Sequence, residues 1–439
     1  MPVAHPNRRR TRLAGTAAAA LFALTIPAAS AVPASAAPAS AMSVSDAPAA
    51  PATGRTAIDR AALDRTLTAI HAAGMYGAYS AVRDGSAQWQ GAAGLADVGT
   101  GRATTPRMEH RIGSITKTFT SVAVLQQVGK GRIDLDAPIG RYLPALVTGD
   151  RGRAITVRML LNHTSGIGEY TSSIFPTKES LEDNRFHHFD PEDLARLGLK
   201  AAPLGKPGQA HHYSNTNYAI AGLLLRKVTG TSPEKYITEH VIRKAGLRHT
   251  YFPNSPYLTK PHAKMYEAFY GAFDPPRDFS VYNVSWAGTA GALVSTMPDL
   301  NRFYGALLGG KLLAPTQLQQ MKTTVPIEGS TARYGLGLLS AKLPCGEFWG
   351  HNGMVLGAMT WSLSSADGRH QISLGANLTH YQKLDGNGQP KPDPIDTAMS
   401  IHIARALCGT EGVTQPGTPH NSLPQLRAQE GFALPTARP

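Results

Sequence analysis

The chain has 439 residues, of which 42% are hydrophobic and 17% charged, a balance that permits a large interior and excludes a disordered or fibrous chain. Its formal net charge is +13. No arginine-rich run with interleaved aromatics follows the first forty residues, so a nucleic-acid partner is not expected.

Taken in chain order, residues 1 to 41 read as a cleaved secretory signal peptide. MPVAHPNRRRTR is a basic start, LAGTAAAALFALTIPAA a short apolar run broken by Pro27, and ASA recurs at 29–31, 34–36 and 39–41 as candidate cleavage sites. The Arg8, Arg9, Arg10 cluster would also suit a twin-arginine route. Cleavage would remove four arginines and no acids, lowering the net charge to about +9. No later segment offers eighteen consecutive apolar residues, so a released or wall-associated protein without a membrane anchor is expected. Residues 42–56 are rich in Ala, Pro and Ser and read as a linker.

A folded region is expected over 57–409. AIDRAALDRTLTAIHAAG (57–74) has helical spacing, and YGAYSAVRDGSAQWQGAAG (76–94) reads as two strands around Asp84-Gly85. A loop, PRMEHRIG, leads into an apolar helix that opens at Ser114. From about 135 to 290, short helices alternate with Gly- and Pro-rich loops, which suits an inserted, mostly helical subdomain. Beyond 291 the pattern becomes sheet-like: GALVST, a helix from MPDLNRFYGALLGG begun by Thr296 and Asp299, YGLGLLSA, EFWGHNG, a hairpin turning at ADGR (366–369), and a last helix to Cys408. The expected fold is α+β, one antiparallel sheet built from both chain ends and flanked by helices. Cys345 and Cys408 are the two cysteines, and in an exported chain they are expected to form a disulfide. The tail, 410–439, reads as disordered.

Three short patterns carry the chemistry. Ser114 and Lys117 stand three residues apart at the start of the helix bearing Ile115, Phe119, Val122, Leu125 and Val128, so they are neighbours one turn apart on an apolar element. A buried ammonium costs several kcal/mol unless it is paired or loses its proton, and a lysine so placed is a candidate base for a serine nucleophile. A second SxxK, Ser232 to Lys235, follows a glycine and has Pro233 at the first helical position, which makes Ser232 an N-cap. Tyr213 and Asn215 form a YxN before an apolar helix, and His351 and Gly353 form an HxG between two strand-like runs. Zinc chemistry through His187, His188, His211 and His212 lacks HExxH, HxHxD or CxxC spacing, so neither metal nor cofactor is expected.

In the order SxxK, YxN, HxG, the chain resembles the penicillin-recognising serine hydrolases, the group of class C beta-lactamases and secreted actinobacterial D-alanyl-D-alanine carboxypeptidases. RIGSITKTFT, MLLNHTSGIGEY, YSNTNY, VSWAGTAGALVST, YGLGL and WGHNGMVLG carry the resemblance, from about 57 to 408. It implies that Ser114 is the nucleophile and that Lys117 and Tyr213 share its proton. It further implies that the backbone N–H groups of Ser114 and Met354 form the oxyanion site and that Asn215 holds the substrate amide. His351 would lend a donor or positive charge near the substrate's acidic end, and Trp286 would wall the cleft. The implied partners are peptidoglycan stem peptides or other D-amino-acid peptides, with beta-lactams as inhibitors or substrates, acting on a monomer. The chain departs from the carboxypeptidase pattern in two places. LLSAKLP, before Cys345, holds only Lys342 where arginines that anchor a terminal carboxylate are usual, and Met354 stands where a threonine is usual. These departures leave room for an endopeptidase, a D-amino-acid amidase or an esterase; a beta-lactamase would differ only in how fast water reaches the acyl-enzyme, and a non-catalytic binder that kept the pocket is the reading from another class.

Overall fold

The computed structural model describes residues 58–409. The expected signal peptide (1–41), linker (42–56) and tail (410–439) lie outside the described residues. Helix α1 (Arg60–Ala72) is capped by Asp59, whose carboxylate accepts the Ala62 N–H at 2.9 Å, and it buries Leu63, Leu67 and Ile70 on one face. Strands β1 (Gly77–Asp84) and β2 (Ala87–Asp97) follow as the expected hairpin, with Gly85 at φ 59° in its turn, and β3 (Arg102–Ala103) extends the edge. The C-terminal part supplies β4 (Val325–Pro326), β5 (Arg333–Tyr334), β6 (Leu339–Leu343), β7 (Gly346–Val355), β8 (Ala358–Ser365) and β9 (His370–Ala376). Together they make a nine-stranded sheet ordered β3-β2-β1-β9-β8-β7-β6-β5-β4. Its central seam joins the two chain ends, Ala78 opposite Ala376 and Val82 opposite Ile372, in an antiparallel register. The fold is thus the expected α+β architecture.

Both faces of the sheet are covered, which is why β9 is buried throughout and β8 everywhere but its last residue, Ser365, with no alternation with solvent. Ala78 and Val82 of β1 pack with α1 and with helix α6 (Pro394–Cys408), while Tyr79 and Ala81 turn to the opposite core, which holds helix α5 (Met297–Leu308). Helix α5 is capped by Thr296, as expected, and its Asn301 donates to the Ala81 carbonyl at 2.9 Å.

Helix α2 (Thr116–Gly129) runs through the core between the sheet and the helices of the middle of the chain. Those include α3 (Pro191–Lys200) and α4 (Asn215–Thr229), and Ser232 caps a short helix as expected, accepting the Lys235 N–H at 3.2 Å. Two stretches expected as strands differ. GALVST contributes only Val294–Ser295, which pairs with His110–Arg111 outside the large sheet. YGLGLLSA breaks into β5 and β6 because residues 335–338 are the turn of a hairpin: Gly337 adopts φ 70°, the Gly335 N–H donates to the Leu338 carbonyl at 2.7 Å, and Tyr334 faces Leu339 across the antiparallel pair.

Cys345 and Cys408 are joined in a disulfide that closes 63 residues of sequence between the start of β7 and the end of α6. Replacing both with serine should lower unfolding free energy by about 2–4 kcal/mol, the typical contribution of a disulfide. Denaturant titration of the variant against the oxidised protein measures it, and an unchanged midpoint would refute the stabilising role.

Candidate active site

Ser114 lies not on α2 itself but in the 3-10 turn Gly113–Ile115 that precedes it. The tighter winding keeps i and i+3 in line, so Lys117 Nζ reaches Ser114 Oγ at 3.1 Å. Gly113 adopts φ 51°, and a Cβ there would stand 2.5 Å from the Met354 nitrogen on β7. A Cβ on Gly353 would stand 2.0 Å from the Ile112 carbonyl oxygen and 2.8 Å from the Ser114 nitrogen. Only glycine at 113 and 353 lets the nucleophile turn lie flat on the strand, and this contact brings the amides of Ser114 and Met354 to the same spot. The glycine of HxG is therefore a spacer between strand and nucleophile.

Lys117 is 0% exposed. Its Nζ donates to Asn215 Oδ1 at 2.7 Å and to the Ala290 carbonyl at 2.9 Å besides facing Ser114. Burial pushes its pKa down from 10.5 to about 7, partly opposed by the Glu169 carboxylate. Tyr213, 7% exposed, donates its hydroxyl to Ser114 Oγ at 2.7 Å, and burial drives its own pKa well above 10. The alcohol, amine and phenol thus converge from three separate parts of the chain. Of the two groups on Ser114 Oγ, the amine loses its proton at the lower pH.

Asn215 is the first residue of α4, and its side-chain oxygen is taken by Lys117, which leaves its Nδ2 group as the donor for a substrate carbonyl. The cleft beside Ser114 is lined by Tyr213, Asn215, Trp286, Met354 and His380, among others. Trp286 is 4% exposed and is held by Tyr170, whose hydroxyl donates to its carbonyl at 2.6 Å, so it forms both cleft wall and core.

His351 departs from expectation. It is 0% exposed and does not line the cleft. Burial pushes its imidazole down to about 3, so it is neutral. Its Nδ1–H donates to the Asn352 carbonyl, and Nε2 accepts the Tyr334 hydroxyl at 2.8 Å. The ring therefore braces β7 against β5 and offers the substrate neither a positive charge nor a spare donor. The one lysine of LLSAKLP, Lys342, is exposed on β6 opposite Glu347.

Two further groups were not singled out in the sequence. Glu169, almost fully buried, accepts the Asn215 N–H at the start of α4 and the Thr171 N–H at 3.0 Å, and burial raises its pKa. His163 lies against the Tyr213 ring, tilted by 34° with centroids 4.2 Å apart, while its Nδ1 accepts the Ser214 N–H at 3.3 Å and the Asn217 amide at 3.1 Å. Both belong to MLLNHTSGIGEY, where a lone acid and a lone histidine in a glycine-rich apolar loop were the available signal.

A serine flanked by a desolvated amine and a neutral phenol, with two backbone amides beside it, defines a serine hydrolase of the SxxK type. Residues 63–379 match the family described as Beta-lactamase, and the protein belongs to that family. The crystal structure of a D-stereospecific amidohydrolase from Streptomyces sp. is 35% identical, covers 80% of this chain and 99% of that one, and superposes with a TM-score of 0.70. D-amino acid amidase from Ochrobactrum anthropi SV3 shares the fold at 23% identity and a TM-score of 0.69, over 81% of this chain and 99% of that one. A Bacillus subtilis (strain 168) protein named penicillin-binding protein PbpX is 27% identical over 317 residues, 71% of this chain and 73% of that protein. Protein flp of Staphylococcus aureus (strain MW2) is 32% identical over 176 residues, 40% of this chain, and the match spans 34% of the length of flp.

The acylation rate should rise with pH through an inflection near 7, as Lys117 loses its proton. Glu169→Gln removes a negative charge that favours the ammonium, so the inflection should move to lower pH. Stopped-flow acylation by a chromogenic beta-lactam between about pH 5 and 9 reads both, and an inflection that stays or moves upward contradicts the assignment. Gly353→Ala should slow acylation by about 100-fold or more through displacement of the nucleophile turn, with circular dichroism unchanged.

Proposed function

We propose that the protein is a D-stereospecific amide hydrolase, cleaving D-amino-acid amides and peptides through an acyl-Ser114 intermediate that beta-lactams can also form. The convergence of Lys117 and Tyr213 on Ser114 Oγ carries this reading. Neutral Lys117 takes the Ser114 proton as Oγ bonds to the amide carbon, and the developing oxyanion is met by the amides of Ser114 and Met354. Tyr213 gives its proton to the departing amine nitrogen as the C–N bond breaks, and is reprotonated from Lys117. Water then attacks the ester by the reverse proton path, releasing the acid.

Amide over free-acid substrates is favoured by the cleft lining, which among the described residues holds no lysine or arginine to anchor a terminal carboxylate. The Streptomyces amidohydrolase, at 35% identity over 99% of its length, supports the same choice. The second reading is a D-alanyl-D-alanine carboxypeptidase or transpeptidase, supported by the motif resemblance and by the match to PbpX. In either case the N-terminal signal would deliver the enzyme to peptidoglycan outside the cell.

Mass spectrometry after exposure to a penicillin should reveal an adduct that Ser114→Ala abolishes; without an adduct on the unaltered protein the proposal fails. D-phenylalanine amide should be hydrolysed about 100-fold faster than its L isomer. A D-alanyl-D-alanine peptide should be cleaved no faster than the same peptide with a C-terminal amide, and a tenfold preference for the free acid would hand the function to the carboxypeptidase reading.

A further inference from the structure

Tyr213 is gripped by a residue outside the proton path, His163. The His163 carbonyl accepts the His212 N–H at 2.8 Å, and its ring Nδ1 accepts the Ser214 N–H at 3.3 Å. Both chain neighbours of Tyr213 are therefore bonded to His163, while the imidazole lies against the phenol ring between them. The same loop extends the grip, because the Gly168 carbonyl accepts the Ser214 and Thr216 hydroxyls at 2.9 and 2.7 Å.

The partners of the ring fix its chemical state. A backbone N–H can only donate, so Nδ1 carries no proton and His163 is the neutral imidazole protonated at Nε2. Asn217 Nδ2 is a second donor to Nδ1, since Asn217 Oδ1 is taken by the Ser165 hydroxyl at 2.6 Å. Burial holds the ring well below its ordinary pKa of 6.5, and His211, Lys117 and His351 push in the same direction. Nε2 is buried and makes no hydrogen bond among the described residues, so Nδ1 is the ring's one polar attachment. His163 also adopts φ 61°, a left-handed conformation that costs on the order of 1–3 kcal/mol outside glycine and persists where surrounding contacts over-determine it. A buried N–H without a partner adds about 1–3 kcal/mol more. Both costs fall on the residue that holds Tyr213 from either side.

We propose that His163 is a positioning residue for protonation of the leaving group: through Nδ1 it keeps the Tyr213 hydroxyl where its proton can pass to the departing nitrogen. In that step the C–N bond breaks as the phenol proton moves to nitrogen, and the phenolate regains a proton from the Lys117 ammonium. Attack by Ser114 draws on Lys117, which is held by Asn215 and the Ala290 carbonyl and not by His163. Loss of the His163 acceptor should therefore impair expulsion of an amine more than attack on the carbonyl. The inference rests on the acyl transfer proposed at Ser114 and assigns the control of one of its two proton transfers.

The test compares kcat/KM, which reports formation of the acyl-enzyme, for D-phenylalanine p-nitroanilide and D-phenylalanine p-nitrophenyl ester. The two share an acyl group and a nitrophenyl ring, but the aniline must be protonated to leave and the phenolate need not be. His163→Phe keeps a ring beside Tyr213 and removes the acceptor, so it should lower kcat/KM for the anilide by about tenfold or more beyond its effect on the ester. His163→Asn sets an amide oxygen near the place of Nδ1 and suits the left-handed backbone, so it should close most of that gap. Tyr213→Phe should show the gap by itself, and adding His163→Phe should not widen it. Equal losses on both substrates, an Asn variant no better than the Phe variant, a Tyr213→Phe protein without the gap, or a wider gap in the double variant overturns the proposal. Nitrogen NMR of the His163 imidazole in the unaltered protein at neutral pH, which needs no variant to fold, should show Nδ1 unprotonated, and a proton there overturns it as well. Failure of the unaltered protein to hydrolyse the ester, or hydrolysis that survives Ser114→Ala, would instead remove the serine-hydrolase reading.

Discussion

The site depends on one energetic constraint, the removal of the Lys117 amine from water. An ammonium in an apolar interior is held there only by well-placed acceptors, and three supply them: Ser114 Oγ, Asn215 Oδ1 and the Ala290 carbonyl. Each comes from a different part of the chain, so the elements around α2 must arrive together for the lysine to be tolerated. The same desolvation that threatens stability brings the pKa to about 7 and makes a free amine available near neutrality. Glu169 tempers the effect: its charge favours the ammonium while its hydrogen bond to the first amide of α4 sets where Asn215 stands.

A second constraint is spatial. The nucleophile turn and β7 approach closely enough that a side chain at either Gly113 or Gly353 would collide with the opposing backbone. Strand β7 sits inside a nine-stranded sheet covered on both faces, so it is a rigid reference against which Ser114 is placed. His351 belongs to this reference and not to the substrate surface: its neutral ring fastens β7 to Tyr334 of β5. The aromatic and imidazole groups behind Tyr213, His163 among them, serve the same end for the phenol. Rigid supports of this kind hold reacting groups at hydrogen-bond distance before substrate binds.

The parts of this arrangement that were legible beforehand are those where sequence spacing translates directly into distance. Ser114 and Lys117 are neighbours on any helix or 3-10 turn, and the alternation in β1 and β2 around Asp84-Gly85 is a local signal. The ordered appearance of SxxK, YxN and HxG carried the family. The setting of His351 is not legible in the sequence because a histidine on a strand can face either a cleft or a core, and sequence does not reveal which side is covered. Glu267 and His380, hydrogen-bonded but 113 residues apart, form no pattern at all, since their relation exists only where Leu378–Thr379 pairs in parallel with Tyr266–Glu267.

The amino-acid sequence by itself determined the fold class, through the helix-and-hairpin pattern at one end and the strands and helix at the other, and the adjacency of Ser114 and Lys117, because local periodicity and short spacings encode them; the role of that pair came with the family resemblance. The tertiary structure alone decided which polar groups are dry, and hence that Lys117 can be an amine, that His351 is a neutral brace and that His380 lines the cleft. Exposure to water is a property of the whole packed molecule, and no short stretch of residues contains it.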